Sequence, residues 1–181
     1  MSGTPHKPFE KEEEKVLRAA ARASARSGAP VTVHPNFLGK YVDTYIDVLL
    51  SEGARKDKIF ISHMEMYPDD LDYQRAILDR GVSISYDQFG FECFMDSMAP
   101  GAGLPSDRER VKNLVSLIQA GYEKQLLVSN ECCFKVLYKR YGGYGYGHIL
   151  EHIVPELRYK GVTEDQIRTI LFDNPRCLFG Q

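Results

Sequence analysis

The sequence predicts an α/β fold in which helices cover a parallel sheet. Short apolar runs rich in β-branched residues alternate along the chain with stretches whose apolar residues recur at helical spacing. Glycines end several of these helical stretches, for example Gly28, Gly53 and Gly81. Strands that alternate with helices are typical of parallel sheets that are buried on both faces.

The helices are predicted from apolar residues spaced three and four apart and from residues that cap helix ends. Ser106 with Glu109, and Thr163 with Gln166, match the capping-box pattern of a helix start. A short last helix is predicted after Thr163. The longer predicted helices span residues 11–27, 41–49, 69–80, 106–121 and 148–159.

The strands are the apolar runs between these helices, and a titratable residue stands at the end of each one. The predicted strands span residues 31–33, 58–62, 82–86 and 125–129. The titratable residues at their ends are His34, His63, Asp87 and Glu131. In parallel β/α folds, functional sites assemble at the carboxyl ends of the strands, because the loops open there. The four positions together therefore predict a site at that edge of the sheet.

The composition is that of an ordinary globular domain. The chain has 181 residues and a formal net charge of −2, and it has no long basic run that would favour binding to nucleic acid or a membrane. No apolar stretch is long enough for a transmembrane helix, and residues 1–14 have no signal-peptide core. The four cysteines lack C-x-x-C spacing, so we expect reduced, mostly buried thiols and a cytoplasmic location.

The histidines and carboxylates at the strand ends favour a metal site. Adjacent parallel strands lie about 4.8 Å apart, so His34 and His63 can point into one site. Imidazoles suit Zn²⁺, a carboxylate can complete the site, and the ion lowers the pKa of a bound water toward about 7. Three simpler roles stay open: structural hydrogen bonding by each histidine, helix-dipole stabilisation by Glu131, and turn capping by Asp87.

The aromatic and glycine-rich segments are less specific. Tyr86, Phe89 and Phe91 flank Asp87 and are candidates to line a substrate pocket; alternatively, Phe89 and Phe91 only anchor the base of the long loop that follows. The glycine-rich segment 141–147 lacks the lysine and the spacing of a phosphate-binding loop. It is better explained as a tight turn with close backbone approach.

Several of these segments resemble one known family in the order in which they occur. The segments Gly28-Ala-Pro-Val-Thr-Val-His34, Ile59-Phe-Ile-Ser-His63, Ser85-Tyr-Asp-Gln-Phe-Gly90 and Leu126-Leu-Val-Ser-Asn-Glu131 are similar to strands five to eight of phosphotriesterase-like proteins in the amidohydrolase superfamily. The glycine-rich segment and Asn174-Pro175 resemble the tail of that family. The resemblance implies that residues 1–181 are the C-terminal half of a TIM-type (β/α)₈ barrel, a half-barrel with strands five to eight and their helices.

The resemblance also implies a zinc-dependent hydrolase and assigns roles to its residues. The family site holds two divalent metals, usually zinc, bridged by a hydroxide, with His34 and His63 matching ligands of the second metal. Glu131 matches the residue that binds the first metal and helps to deprotonate the water.

Three further positions match polar groups around the family site. Asp87 and Glu65 match groups that move protons or orient ligands. Gln88 begins a loop that shapes the leaving-group pocket. The small-molecule substrate implied by the family is an ester, a lactone or a phosphoester.

The sequence departs from the family pattern in two respects. The family's strand-one His-x-His pair and strand-four lysine have no match in this chain, which leaves room for one ion at most. Glu131 also stands where the family usually has Asp, and the extra methylene moves the carboxylate by about 1.5 Å. Both departures weaken the expectation of catalysis by this chain alone.

Alternative hypotheses follow from these departures. One is a non-catalytic half-barrel remnant that acts as a binding or assembly partner. Another is a flavodoxin-like ligand-binding protein, whose open twisted sheet would hold the two histidines far from Glu131. A half-barrel would have two open sheet edges and an apolar inner face, so we also expect self-association.

Overall fold

The fold is a four-stranded parallel sheet with helices packed against one face. In this computed structural model, residues 7–68, 70–92 and 104–180 are described. The strands lie in the order β1-β2-β3-β4 and each neighbouring pair is parallel. The strands are β1 (Val31–Val33), β2 (Ile59–Ile61), β3 (Ser83–Tyr86) and β4 (Leu126–Val128). The helices are α1 (Lys11–Ser27), α2 (Val42–Ser51), α3 (Leu71–Asp79), α4 (Asp107–Gln119), α5 (Val154–Tyr159), α6 (Glu164–Arg168) and α7 (Asn174–Phe179).

The alternation of strands and helices predicted from the sequence is confirmed, with small shifts at the ends. Strands β2, β3 and β4 are each shorter than predicted; before β2, for example, Lys56–Lys58 forms a 3₁₀ turn. Both predicted capping boxes are present, at Ser106 and at Thr163. The predicted start of the third helix at residue 69, and the part of the long loop at 93–103, lie outside the described residues.

Two π-helical turns were not predicted, and each lies just before a proline. The turn Ile149–Ile153 leads into α5, which carries Pro155, and the turn Thr169–Asp173 leads into α7, which carries Pro175. Proline lacks an N–H and its ring crowds the carbonyl four residues earlier, so a preceding helical turn relaxes by widening. The predicted helix 148–159 therefore comprises one wide turn and one regular segment.

The two faces of the sheet differ in chemistry. The residues that face the helices are apolar and form the main core with them: Val31, Val33, Ile59, Ile61, Ile84, Tyr86 and Leu126. The opposite face carries Thr32, Phe60, Ser62, Ser83, Ser85 and Leu127. Four of these six side chains bear a hydroxyl group, and Thr32 and Ser62 are hydrogen-bonded at 2.8 Å. The prediction that the inner face is apolar is therefore wrong, because the strand positions that point to this face are mostly Ser or Thr.

The amino end of the sheet is closed by the last helix of the described chain. The buried Lys58 donates to the carbonyls of Cys177, Leu178 and Gly180 at 3.2, 2.8 and 3.0 Å, which satisfies the carbonyl end of α7. The ring of Phe179 packs on Phe60 with centroids 5.9 Å apart. The amino end of the sheet is therefore covered, and the predicted site residues lie at the other end of the strands.

No described helix has the length and apolarity to cross a lipid bilayer.

We expect the 181-residue polypeptide, prepared alone, to self-associate. Among the described strands, β1 and β4 each pair on one side only, so each presents a row of backbone groups for pairing with another chain. The association should be driven by these edges more than by the inner face, which is rich in hydroxyl groups. Sedimentation velocity over a range of concentrations measures it.

A matched pair of variants locates the contact. Thr32→Lys places a charge on the exposed inner side of edge strand β1, whereas Ser27→Lys places the same charge at the exposed end of α1. The first variant should reduce the associated fraction and the second should not. A stable monomer for the unmodified chain would contradict the prediction.

Candidate functional site

Four side chains from four successive strand ends lie together at the carboxyl edge of the sheet. His34 and Asp87 directly follow β1 and β3, while His63 and Glu131 lie in the short loops after β2 and β4. The rings of His34 and His63 are 4.6 Å apart and nearly perpendicular. His63 Nδ1 lies 2.5 Å from Asp87 Oδ1 and 3.9 Å from Glu131 Oε2. The structure thus brings these predicted residues into one cluster.

His63 is held in an unusual backbone conformation. Its φ of 57° is left-handed, and it is the one non-glycine residue with positive φ in the described ranges. Such a conformation persists where surrounding contacts hold it, and it occurs often at functional sites. Here the contact is Asp87, whose Oδ1 accepts both the backbone N–H of His63 at 3.0 Å and the ring Nδ1–H at 2.5 Å.

The hydrogen bonds on the two imidazoles assign their tautomers. Because carboxylate and carbonyl oxygens only accept, Nδ1 of His63 donates to Asp87, and Nδ1 of His34 donates to the carbonyl of Pro35 at 3.2 Å. In the neutral form of either ring, the lone pair therefore lies on Nε2. This is the arrangement found where histidine binds a metal through Nε2 and a second group orients the ring.

The pKa values of the two histidines are shifted in opposite directions. Burial tends to lower the pKa of His63, but its hydrogen bond to Asp87 and the negative charges of Asp87 and Glu131 raise the pKa above its ordinary value. The pKa of His34 is lowered, because the ring is partly removed from water and faces His63. His34 thus stays neutral over a wider pH range, whereas His63 holds a proton more readily.

Glu131 is half-buried and is positioned by the loop after β3. Gln88 Nε2 donates to Glu131 Oε2 at 3.2 Å. The backbones of Gln88 and Asn130 form an antiparallel bridge, and Asn130 Nδ2 donates to the carbonyl of Phe89 at 2.8 Å. The loops after β3 and β4 are thereby joined, so the loop that carries Asp87 also holds the carboxylate at the end of β4.

Glu65 is a buried carboxyl group behind this cluster. It is 1% exposed, and its Oε1 accepts the backbone N–H of Gln88 at 2.6 Å. Burial, together with the neighbouring negative charge of Asp87, raises the pKa of Glu65 to about 8. At neutral pH the side chain is therefore largely a neutral acid, which can donate a hydrogen bond as well as accept one.

The predicted pocket residues are in different places. Tyr86 is fully buried on the helix side of β3, and its hydroxyl donates to Gln74 Oε1 at 2.7 Å, so it does not line a pocket. That prediction is corrected, because Tyr86 follows the strand alternation that places Ile84 in the core. Phe89 is 2% exposed and lines a narrow cavity that also reaches Glu131 but has no room for a water molecule.

The thiols of the described cysteines are less buried than expected. Cys132, which also lines this cavity, is partly exposed, and Cys133 and Cys177 are exposed. Cys132 and Cys133 lie in the loop after β4, outside the strand periodicity, and Cys177 lies on the exposed side of the last helix, α7. Cys93 lies outside the described residues.

Three polar residues near the site were not singled out from the sequence: the partly buried Asp107, and the buried Arg110 and His148. Asp107 is bound by Arg110 at 2.8 Å and by His148 Nε2 at 2.5 Å. A signal for Arg110 does exist, since it stands on the apolar stripe of α4 one turn before Leu114. A charged residue at such a position requires a buried partner.

The cluster is compact but does not form a complete metal centre. Across residues 7–68, 70–92 and 104–180, no three ligating groups surround one point closely enough to hold an ion. The donor set of two imidazoles and one carboxylate is nonetheless of the type that suits zinc. The hydrogen bonds at Nδ1 of His34 and His63 place the lone pair of each neutral ring on Nε2.

Comparison with known proteins places this arrangement in a family. The model of the phosphotriesterase family matches residues 2–179, which is nearly the whole chain. The chain belongs to the phosphotriesterase family. The resemblance of the strand-end segments is thereby confirmed at the level of the family.

Relatives and solved structures of this family extend the comparison. Human N-acetyltaurine hydrolase is 33% identical over 178 residues, a match that covers 93% of this chain and 48% of that protein. The crystal structure of a resiniferatoxin-binding protein from Rhodobacter sphaeroides matches with a TM-score of 0.89 and 33% identity, covering 94% of this chain and 47% of the other. A mutant PTE-like lactonase of Deinococcus radiodurans matches with a TM-score of 0.77 and 30% identity, over 94% and 53%.

These matches confirm the fold class. The parallel sheet and its helices correspond to part of the TIM-type barrel of phosphotriesterase-like proteins. The chain spans about half the length of the relatives that it matches.

Proposed function

We propose that this chain provides the metal-binding C-terminal half of a hydrolase that acts on an ester, lactone or phosphoester bond. The observation that supports this most directly is the pairing of His34 and His63, whose rings lie 4.6 Å apart with both Nδ1 atoms engaged in hydrogen bonds. Two relatives, a lactonase and N-acetyltaurine hydrolase, are hydrolases by name. The name of the second relative adds the amide bond of an N-acetyl compound to the candidate substrate bonds.

The residues of the cluster fit zinc as part of a larger ligand set. His34 and His63 would hold the ion through Nε2, and Glu131 would supply an oxygen ligand. When bound, zinc lowers the pKa of water and polarises a carbonyl or phosphoryl oxygen. One ion is proposed for this chain, because the matching residues supply half of the two-metal site of the family.

The other residues of the cluster have positioning and proton-holding roles in this proposal. Asp87 fixes the orientation and the tautomer of His63. Glu131, whose side chain is 34% exposed and whose Oε2 lies 3.9 Å from His63 Nδ1, is the carboxylate that would accept a proton from the attacking water. Gln88 holds that carboxylate toward the histidines.

The proposal is tested by zinc binding to the purified chain. We expect about one zinc per chain for the unmodified protein, measured by competition with a chelating dye after removal of bound metal. The double variant His34→Ala, His63→Ala should lose this binding, because it removes both imidazole ligands. Circular dichroism of each protein establishes that it is folded.

A third histidine provides the control. His152 has an exposed side chain on the turn before α5, so His152→Ala removes one imidazole without touching the cluster. It should bind zinc as the unmodified chain does. A folded double variant with unchanged zinc binding would remove the metal assignment, and absence of zinc binding in the unmodified chain would favour the remnant hypothesis.

A further inference from the structure

Residues 87–91, which we call the Asp87 loop, are held by two carboxyl groups from other parts of the chain, the buried Glu65 and the partly buried Asp107. Glu65 accepts the backbone N–H of Gln88 at 2.6 Å. Asp107, at the start of α4, accepts the backbone N–H of Gly90 with both oxygens, at 2.9 and 3.1 Å. Both carboxyl groups therefore bind loop amides that the sheet does not satisfy.

Arg110 lies between these two carboxyl groups. It is 0% exposed, its Nη1 donates to Asp107 at 2.8 Å, and its Nη2 donates to the carbonyl of Phe91 at 2.9 Å. Its Nε lies 3.9 Å from Glu65 Oε1. A buried guanidinium is stable only with such compensation, and its planar fork can bind a carboxylate and a carbonyl at fixed angles.

The Asp87 loop in turn supplies the contacts that orient the candidate metal ligands. Asp87 Oδ1 binds His63 through its backbone and its ring, at 3.0 and 2.5 Å. Gln88 binds the carboxylate of Glu131 at 3.2 Å. Any displacement of the loop therefore moves both an imidazole and a carboxylate of the cluster.

Arg110 is also connected, through Asp107 and His148, to Tyr144 in the glycine-rich segment 141–147. Asp107 Oδ2 lies 2.5 Å from Nε2 of the buried His148, and the ring of Tyr144 stacks on His148 with centroids 4.2 Å apart. Tyr144 lines the cavity that reaches Glu131. The pair formed by Arg110 and Asp107 thus contacts the Asp87 loop and also contacts His148, on which Tyr144 of the glycine-rich segment stacks.

We infer that Arg110 is a positioning residue for the site: it sets the Asp87 loop and, through that loop, the geometry of His63 and Glu131. This inference deepens the proposed function and depends on it for the role of the metal. Arg110 itself touches none of the candidate ligands in the described structure, so its effect is transmitted by Asp107, Phe91 and the loop backbone. Residues of this kind hold ligating groups within the narrow tolerance that a metal site requires.

The test combines Arg110→Lys with a matched control. Lysine keeps the buried charge but cannot bind Asp107 and Phe91 in the geometry of the fork. Arg80→Lys is the control, because Arg80 also binds two carboxylates, Asp43 at 2.7 Å and Asp47 at 2.6 Å, but on the helix layer. We expect Arg110→Lys to weaken zinc binding by about tenfold, the lower end for outer-shell partners, and Arg80→Lys to leave it unchanged.

A second readout does not depend on metal. In the metal-free protein, the Nδ1 proton of His63 is a spectroscopic signature of its bond to Asp87, and proton NMR should show it shifted or lost in Arg110→Lys but intact in Arg80→Lys. If Arg110→Lys does not fold, Asp107→Asn, which keeps the size of the side chain, should produce the same change more weakly. An unchanged proton signal together with unchanged zinc affinity would overturn the inference.

Failure of the proposed function and failure of this inference give different results. An unmodified chain that binds no zinc refutes the metal assignment, yet the His63 proton still reports whether Arg110 positions the loop. Conversely, normal zinc binding in the unmodified chain with identical behaviour of the two lysine variants refutes the positioning role alone.

Discussion

Replacement of Asp87 by Asn is expected to weaken zinc binding by about 10- to 100-fold, the range measured for residues that orient metal-binding histidines. Asn keeps the size of the side chain and an oxygen that can accept from His63. It removes the negative charge that strengthens the hydrogen bond and makes Nε2 of His63 more basic. Titration of the metal-free protein against a chelating dye measures the loss.

The pH dependence of this loss has a definite sign. Zinc competes with a proton for Nε2 of His63, and the charge of Asp87 raises the pKa of that histidine. Asp87→Asn lowers this pKa, so proton competition weakens in the variant as pH falls. The zinc dissociation constant of Asp87→Asn divided by that of the unmodified protein should therefore be larger at pH 8 than at pH 6.

Asp72→Asn is the control for charge removal. Its side chain is 92% exposed on α3 and pairs with Arg75 at the surface. It should leave zinc affinity unchanged at both pH values. If Asp87→Asn binds zinc like Asp72→Asn, then Asp87 does not orient His63 for a metal.

Replacement of Glu65 by Gln is expected to change how the stability of the protein depends on pH. Burial raises the pKa of Glu65 from 4.5 to about 8 in the folded state, so between these values unfolding releases a proton from this group. The contribution of Glu65 to the free energy of unfolding is therefore fully present below pH 4.5 and is lost as pH rises toward 8. The slope from this group is at most about 1.4 kcal/mol per pH unit.

Glutamine imitates the neutral acid and does not titrate. Its oxygen can still accept the backbone N–H of Gln88, so Glu65→Gln should match the unmodified protein near pH 5 and exceed it in stability at pH 8. Urea unfolding at a series of pH values, with a chelator present, measures this difference.

Glu12→Gln removes an exposed carboxyl group from the first turn of α1 and serves as the control. The curve of its unfolding free energy against pH should run parallel to that of the unmodified protein across the same range. Parallel curves for Glu65→Gln as well would show that Glu65 is not held neutral in the folded state.

The candidate site could be predicted from the sequence where a side chain is placed by its own strand. His34 and Asp87 directly follow β1 and β3, and the carboxyl ends of parallel strands share one edge. His63 and Glu131 followed from the same rule. Tyr86 was assigned wrongly from its nearness to Asp87 in sequence, because strand alternation points neighbouring side chains in opposite directions.

The support behind the site could not be predicted in the same way. Nothing in the local pattern around Glu65 indicates that it meets Gln88, or that its pKa is raised. The position of Arg110 on the apolar stripe of α4 indicated a buried charge but not its partners. These contacts depend on how separate β/α units pack.

The sequence alone determined the order of strands and helices, the helix caps and the residues at the strand ends, because each depends on neighbours within a few positions of the chain. Tertiary structure decided which polar side chains meet: His148 and Asp107, for example, are 41 residues apart and are hydrogen-bonded at 2.5 Å. Hydrophobic periodicity reports that a side chain faces inward, and it carries no information on the distant group that it meets there. The orientation of His63 by Asp87, and the support of that loop by Arg110, therefore required the packed structure.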